Sequence, residues 1–219
     1  MNIKKYLPFV IVIIAAVLVV GGIFIVKKVN QPVSQDNTQD ETAVADLPDN
    51  QKPVAALVPT SDGHYLTLNV DGIKVPGAMS MDYELLYKAN NGQAITTQGV
   101  PGTIQLAGAT SESRKLLLGS ESSGKFRYDK DVENGTLTLR FRDGTGKLLG
   151  KVKTDFHLQT EVTSLTSVDG SFKYTLTKPA TGVWFVTMQS FGTPDSSKVV
   201  IFKDGWAVYS SDSSLHGGS

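Results

Sequence analysis

The sequence predicts an all-β protein: an antiparallel β-sandwich with a smaller C-terminal β unit packed on it, preceded by one transmembrane helix. Three observations predict this. Beyond residue 60, apolar and polar residues alternate at period two in short runs, with turn residues spaced roughly every 8–12 positions. No window there repeats at the 3.6-residue period of an amphipathic helix. Ahead of it, Leu7 to Val26 is an apolar run of twenty residues without one charged side chain.

That run, LPFVIVIIAAVLVVGGIFIV, would reach roughly 30 Å as a helix, the thickness of a bilayer's hydrocarbon core. Lys4 and Lys5 precede it, and Lys27 and Lys28 follow. A cleaved signal peptide has a shorter apolar core with small residues soon after, whereas here the nearest A-x-A pattern is Ala43-Val44-Ala45. A retained anchor is therefore expected, with residues 1–6 cytoplasmic and 7–26 spanning the membrane. The two lysines and the α-amino group at the front put the N-terminus inside and the body outside the cell, in the cell membrane as a single-pass protein. Ala15, Ala16, Gly21 and Gly22 are not spaced as G-x-x-x-G, so no dimerising helix face is indicated.

Residues 27–60 are expected to be a disordered polar linker, because Gln, Asn, Asp and Pro dominate and little apolar area can be buried to offset chain entropy. Residues 61–159 are read as the sandwich domain. His64 to Val70 places Leu66, Leu68 and Val70 on one face. Met79 to Lys88 sends Met79, Met81, Tyr83, Leu85 and Tyr87 inward, with Asp82, Glu84 and Lys88 outward. Asn90-Asn91-Gly92 then suits a tight hairpin turn. Thr103 to Leu106, Arg114 to Leu118 and Lys125 to Tyr128 follow as short strands. Leu137, Leu139 and Phe141 point inward, as do Val152, Thr154, Phe156 and Leu158 after the turn Asp143 to Gly146.

Residues 160–212 are read as a four-stranded C-terminal unit, with strands at Phe172–Thr177, Val183–Gln189, Lys198–Phe202 and Trp206–Tyr209. Residues 213–219 are expected to be a flexible tail. Ser61-Asp62-Gly63-His64-Tyr65 is echoed by Val168-Asp169-Gly170-Ser171-Phe172. The echo is read as the start of a second β unit near Ser164, against the plainer reading of two strand starts alike by chance.

The 61–159 region resembles an immunoglobulin or fibronectin type III sandwich in strand number and spacing and in the Met79–Lys88 strand ending in an Asn-Gly turn. The resemblance is to architecture, since no cysteine is present and the Cys-Trp-Cys signature is missing. Anchor, stalk and cysteine-free β body together are similar to uncharacterised bacterial single-pass surface proteins, which implies an extracytoplasmic place and no catalytic residues. A hydrophobic N-terminal segment before a β-rich body also resembles bacterial pilins. Those carry a glutamate near the start of the apolar segment, and this run has none; Pro32 also follows soon after it.

The 21 Lys and Arg balance 21 Asp and Glu, so no global attraction to nucleic acid is expected. Gly119 to Lys125 has the spacing of a phosphate loop, but Phe126 replaces its hydroxyl residue and a strand follows, so a hairpin loop is expected. Asp129, Asp131 and Glu133 are a weak calcium candidate, set against a solvated turn; the EF-hand pattern fails at Asn134 and Arg140. His64, His157 and His216 lie near no G-x-S-x-G elbow, and no metal-ligand spacing occurs, so a non-enzymatic protein without cofactors is expected. Asn134-Gly135-Thr136 fits a glycosylation acceptor and is read as a turn.

Two binding candidates remain. Arg140, Arg142, Lys151 and Lys153 share the outer face of an expected hairpin, a cationic strip for an anionic envelope polymer or lipid head groups. Trp184, Trp206 and Tyr209 form an alternative sugar-stacking set, set against a core role, since Val183 to Val186 is apolar on both faces as in a buried central strand. The expected function is binding or cell-envelope organisation through a glycan, polymer or protein partner, with a carbohydrate-binding module or a structural, pilin-like envelope subunit as alternatives.

Overall fold

The computed structural model describes residues 45–90, 92, 94–194, 201–203, 205–214 and 216–219, all within the compact unit Val44–Ser219. The apolar run Leu7–Val26, its flanking lysines and the linker up to residue 44 lie outside the described residues, as do Asn91, Asp204 and residues 198–200 of the expected turns and strands. Among the described residues no helix is long and apolar enough to cross a membrane.

The chain is all-β, with antiparallel sheets consistent with a β-sandwich. One sheet has three strands in the order β1-β2-β5, formed by β1 (Val54–Pro59), β2 (Tyr65–Asp71) and β5 (Ser111–Leu117). A larger sheet has seven, and comprises β3 (Ser80–Asn90), β4 (Ile95–Gln105), β8 (Asn134–Arg142), β9 (Leu148–Thr160), β12 (Trp184–Gln189), β13 (Ile201–Lys203) and β14 (Trp206–Ser210). Its order is β13-β14-β12-β9-β8-β3-β4. Two hairpins complete the fold, β6 (Gly119–Ser122) with β7 (Lys125–Tyr128), and β10 (Ser164–Thr166) with β11 (Lys173–Thr175).

Period-two patterning builds the main core. Leu66, Leu68 and Val70 from β2 meet Met81 and Leu85 from β3, the inward residues of β8 and β9, and Val186 and Met188 from β12. Leu137, Leu139, Phe141, Val152, Phe156 and Leu158 are all buried, as their alternation predicts. Met79, expected inside, is 52% exposed, because β3 begins one residue later and Met79 only caps it, its N–H donating to the Arg142 carbonyl at 2.8 Å.

Three expected boundaries are corrected. The linker 27–60 contains β1, whose Ala55 and Leu57 are fully buried; the short apolar run Val54–Pro59 pairs with β2 from Val54↔Asp71 to Pro59↔Leu66. The division at 159/160 falls inside β9, before its last residue, and β12, β13 and β14 extend the larger sheet instead of forming a four-stranded unit of their own. What does pack on the sheet is the β10–β11 hairpin, in a second core of Leu165, Phe172, Leu176, Ala180, Phe185 and Val208. The tail 213–219 is paired, Ser219 and Thr175 exchanging N–H···O bonds at 3.0 and 2.8 Å and Thr177 donating to Gly217.

The echoed segments adopt one turn twice. Gly63 N–H donates to the Thr60 carbonyl and Gly170 N–H to the Ser167 carbonyl; Asp62 accepts from His64 N–H and Asp169 from Ser171 N–H. Both glycines take positive φ, +69° and +72°, which suits a residue without Cβ. The Thr60 hydroxyl, then the His64 amide, holds the Asp62 carboxyl below the usual range, and the Ser167 hydroxyl, then the Ser171 amide, does so for Asp169. A lowered carboxyl contributes stability above its unfolded value and loses it as pH falls through its folded one. Urea midpoints are therefore expected to fall below about pH 4, and less steeply in Asp169→Asn than in the parent.

A backbone test follows from β8. A methyl at Gly135 would collide with the Leu86 carbonyl and the Phe156 ring, whereas one at Gly144 meets only Met79 at an ordinary 3.7 Å. Gly135→Ala is expected to lose about 1–3 kcal/mol and Gly144→Ala under about 0.5, measured by urea unfolding.

Candidate functional site

The outer face of the larger sheet shows what becomes of the expected cationic strip. Arg140, Lys151, Arg142 and Lys153 do share one face, since Arg140 pairs with Lys151 and Thr138 with Lys153 in the β8–β9 register. That register also lays β3 alongside, with Asp82↔Arg140 and Glu84↔Thr138. Arg142 Nε then donates to Asp82 at 2.6 Å, and Arg140 Nη2 to Glu84 at 3.0 Å. Two of the four cations are thus matched by carboxylates on the neighbouring strand, and the face is charge-balanced where the sequence reading makes it basic.

Both lysines line a cleft of about 470 Å³. Strand β9 contributes Lys151, Lys153 and Asp155, β12 contributes Gln189, and β14 contributes Trp206. Asp46 and the β10–β11 turn residues Val168 and Asp169 form the rim. Asp155 is held by the Thr136 hydroxyl at 2.9 Å. The cleft therefore joins members of two separately expected sets, Lys151 and Lys153 with Trp206, between alternating ammonium, carboxylate and amide groups.

The rest of the aromatic set goes elsewhere. Tyr209 is fully buried on the inner face of β14, so its ring offers nothing to a sugar; this corrects the expected stacking role. Trp184 lies against the Gly63 turn, which leaves no room for a Cβ there, and packs on the main core. Trp206 pairs at 5.9 Å with Phe172 of the second core while lining the cleft.

The calcium candidate is also corrected. Asp129 accepts from the Tyr87 hydroxyl at 2.9 Å, and Asp131, at φ +53°, from Asn90 Nδ2 at 2.9 Å. The positive φ breaks the extended path that would align the three carboxylates, and among the described residues no three His, Cys, Asp or Glu gather as a metal site. Gly119 to Lys125 forms the β6–β7 hairpin, turning at Ser123 and Gly124 with φ +51° and +75°, the pair a tight β-turn requires. His157 Nδ1 donates to the Thr166 carbonyl at 2.8 Å, tying β9 to β10, and His216 Nε2 lies 2.8 Å from Asp212.

One aromatic group escaped the sequence reading. His64 stacks on Tyr128 with centroids 3.8 Å apart and planes 3° apart, Tyr65 meets Tyr128 edge-on at 6.2 Å, and Phe126 lies 6.3 Å along from it. Phe126 and Tyr128 remain 48% and 37% exposed. The period-two pair Phe126 and Tyr128 was visible; its meeting with His64 and Tyr65 depends on β5 leading the chain back beside the start of β2. No protein-family model matches the chain, and no curated protein does.

A stability test follows from Tyr209. Burial pushes its hydroxyl up to about 12, and that hydroxyl has no hydrogen-bond partner among the described residues; the neighbouring Ser190 hydroxyl donates to the Gly192 carbonyl at 3.0 Å. A phenol raised above its unfolded value of about 10 contributes stability below that pH and loses it as pH climbs toward 12. Tyr209→Phe is expected to keep or raise the urea midpoint at pH 7 and to flatten its decline between about pH 10 and 12.

Proposed function

We propose that this chain is a single-pass membrane protein whose extracytoplasmic, immunoglobulin- or fibronectin III-like β-sandwich binds carbohydrate of the cell envelope without catalysing a reaction. The anchor half of this reading rests on the uncharged run Leu7–Val26. The binding half rests on one observation, the cleft that sets Trp206 beside Lys151, Lys153, Asp155 and Gln189. Alternating donors and acceptors along one edge of an indole suit a ligand rich in hydroxyls with flat apolar ring faces, which is the chemistry of a sugar chain.

The balance of charge favours this over a polyanion. Asp46, Asp155 and Asp169 line the same cleft as the two lysines, and Asp82 and Glu84 accompany the two arginines. Binding is accordingly carried by hydrogen bonds and ring contact more than by a long-range field.

Two measurements test it. Protease added to intact cells is expected to remove the β body; its protection would overturn the topology. In calorimetry with the detergent-solubilised full chain and a panel of β-linked glucose and N-acetylglucosamine oligosaccharides, Lys153→Ala is expected to weaken binding about tenfold, the loss of one charge-assisted hydrogen bond. Affinity should change little between low and high salt. A steep fall with salt would return the reading to an anionic polymer, and no binding by the parent would remove it.

A further inference from the structure

The Trp206 cleft does not end at Asp155. A second recess, of about 240 Å³, adjoins it, and Asp155 and Val168 line both. Thr136 of β8, Leu86 and Lys88 of β3 and Thr97 of the edge strand β4 bound this second recess.

Strand register makes the two recesses one line. Gln189 pairs with Trp206, and one residue beyond the Met188↔Phe156 pair it stands beside Asp155. Asp155 pairs with Thr136, Thr136 with Leu86, and Leu86 with Gly99. These six residues are cross-strand neighbours on β14, β12, β9, β8, β3 and β4, so they share one face of the larger sheet. None of them is buried. Five steps of about 4.8 Å between strands carry the row roughly 24 Å. Gly99 keeps its far end low, since a Cβ there would crowd Leu86 at 3.1 Å. Leu86 and Val168 are exposed and belong to neither core, so folding does not account for their place along this row.

We infer that cleft and recess form one groove, which takes several units of a linear, uncharged polysaccharide laid across the strands. The inference rests on the carbohydrate reading above and adds the length and charge of the chain bound. Trp206 offers an apolar surface at one end and Leu86 at the other. Between them the Thr136 hydroxyl donates to Asp155 at 2.9 Å, which fixes both groups and leaves lone pairs on each to accept from sugar hydroxyls. The Gln189 amide can both donate and accept. Charge argues for a neutral chain. Lys88, Lys151 and Lys153 stand among Asp46, Asp155 and Asp169 along the groove, and past Lys88 the surface turns acidic at Asp131 and Glu133. A polyanion drawn to one lysine would meet a carboxylate at the next step. An extended peptide fits less well, because it binds by pairing with a free sheet edge. The floor strands β12, β9, β8 and β3 already have a neighbour on both sides. An amphipathic helix needs an apolar groove, and this floor is polar between its ends.

The test is calorimetry of the full chain in detergent with cellotriose, cellohexaose, chitotriose and chitohexaose, and with polygalacturonate and denatured casein as polyanionic and polypeptide probes. In the series that binds, the hexasaccharide is expected to bind at least about tenfold tighter than the trisaccharide, the gain of a few further hydrogen bonds and one apolar contact. The double variant Leu86→Ala/Lys88→Ala changes two exposed positions, and its fold is checked by circular dichroism and its urea midpoint. It is expected to lower hexasaccharide affinity about tenfold, so that the two lengths bind alike. Lys153→Ala, at the other end, should weaken both lengths. Equal affinity of the parent for both lengths overturns the groove while the carbohydrate reading stands, as does a double variant that binds the hexasaccharide as the parent does. Binding of neither length by the parent removes both readings. Tighter binding of polygalacturonate or of casein overturns the assignment of an uncharged sugar chain.

Discussion

Strand β12 is apolar on both faces and buried on both, and the placement of each candidate surface follows from how that double burial is met. Val186 and Met188 face the main core, where Tyr209 and the inward residues of β9 meet them. Phe185, one residue along, points the other way and would be bare without the β10–β11 hairpin, whose Leu165, Phe172 and Leu176 cover it together with Val208. Each covered ring or branched chain is worth about 1.5–3 kcal/mol, enough to hold a three-residue hairpin that could not stand alone. The hairpin's crest, at Val168 and Asp169, then becomes the wall of the Trp206 cleft. On the other side, β1 runs against β12 and β14, bringing β2 and β5 over the core and leaving their outer face to carry Tyr65 and Lys115.

Much of this was legible from residue order alone. Strict alternation fixed the inward faces of β2, β8 and β9, because a slip of one residue would send every apolar side chain into water. The two-faced apolar run at Val183–Val186 likewise announced a central strand. The echo of Asp62-Gly63 in Asp169-Gly170 marked a real repeated geometry, though a hairpin turn and not a second domain. Alternation says little about which strands become neighbours. Arg140 and Arg142 looked unopposed because Asp82 and Glu84 lie nearly sixty residues away in the chain. β1 was hidden by averaging Val54–Pro59 with the polar residues before it. The C-terminal residues looked free because glycine and serine dominate them, yet Gly218 lies close against the Tyr174 ring and the Thr175 carbonyl, where any side chain would collide.

The same logic explains why the two surfaces differ in kind. On the larger sheet, long strands in register bring acid and base together across β3, β8 and β9, so charges cancel within the face. What remains distinctive there is shape, a recess beside an indole. The β6–β7 hairpin has only its partner strand for company, with all but one of its strand residues exposed. Its cations have no third strand to neutralise them, and its rings have no sheet to cover them, so they turn to His64 and Tyr65 on β2's approach.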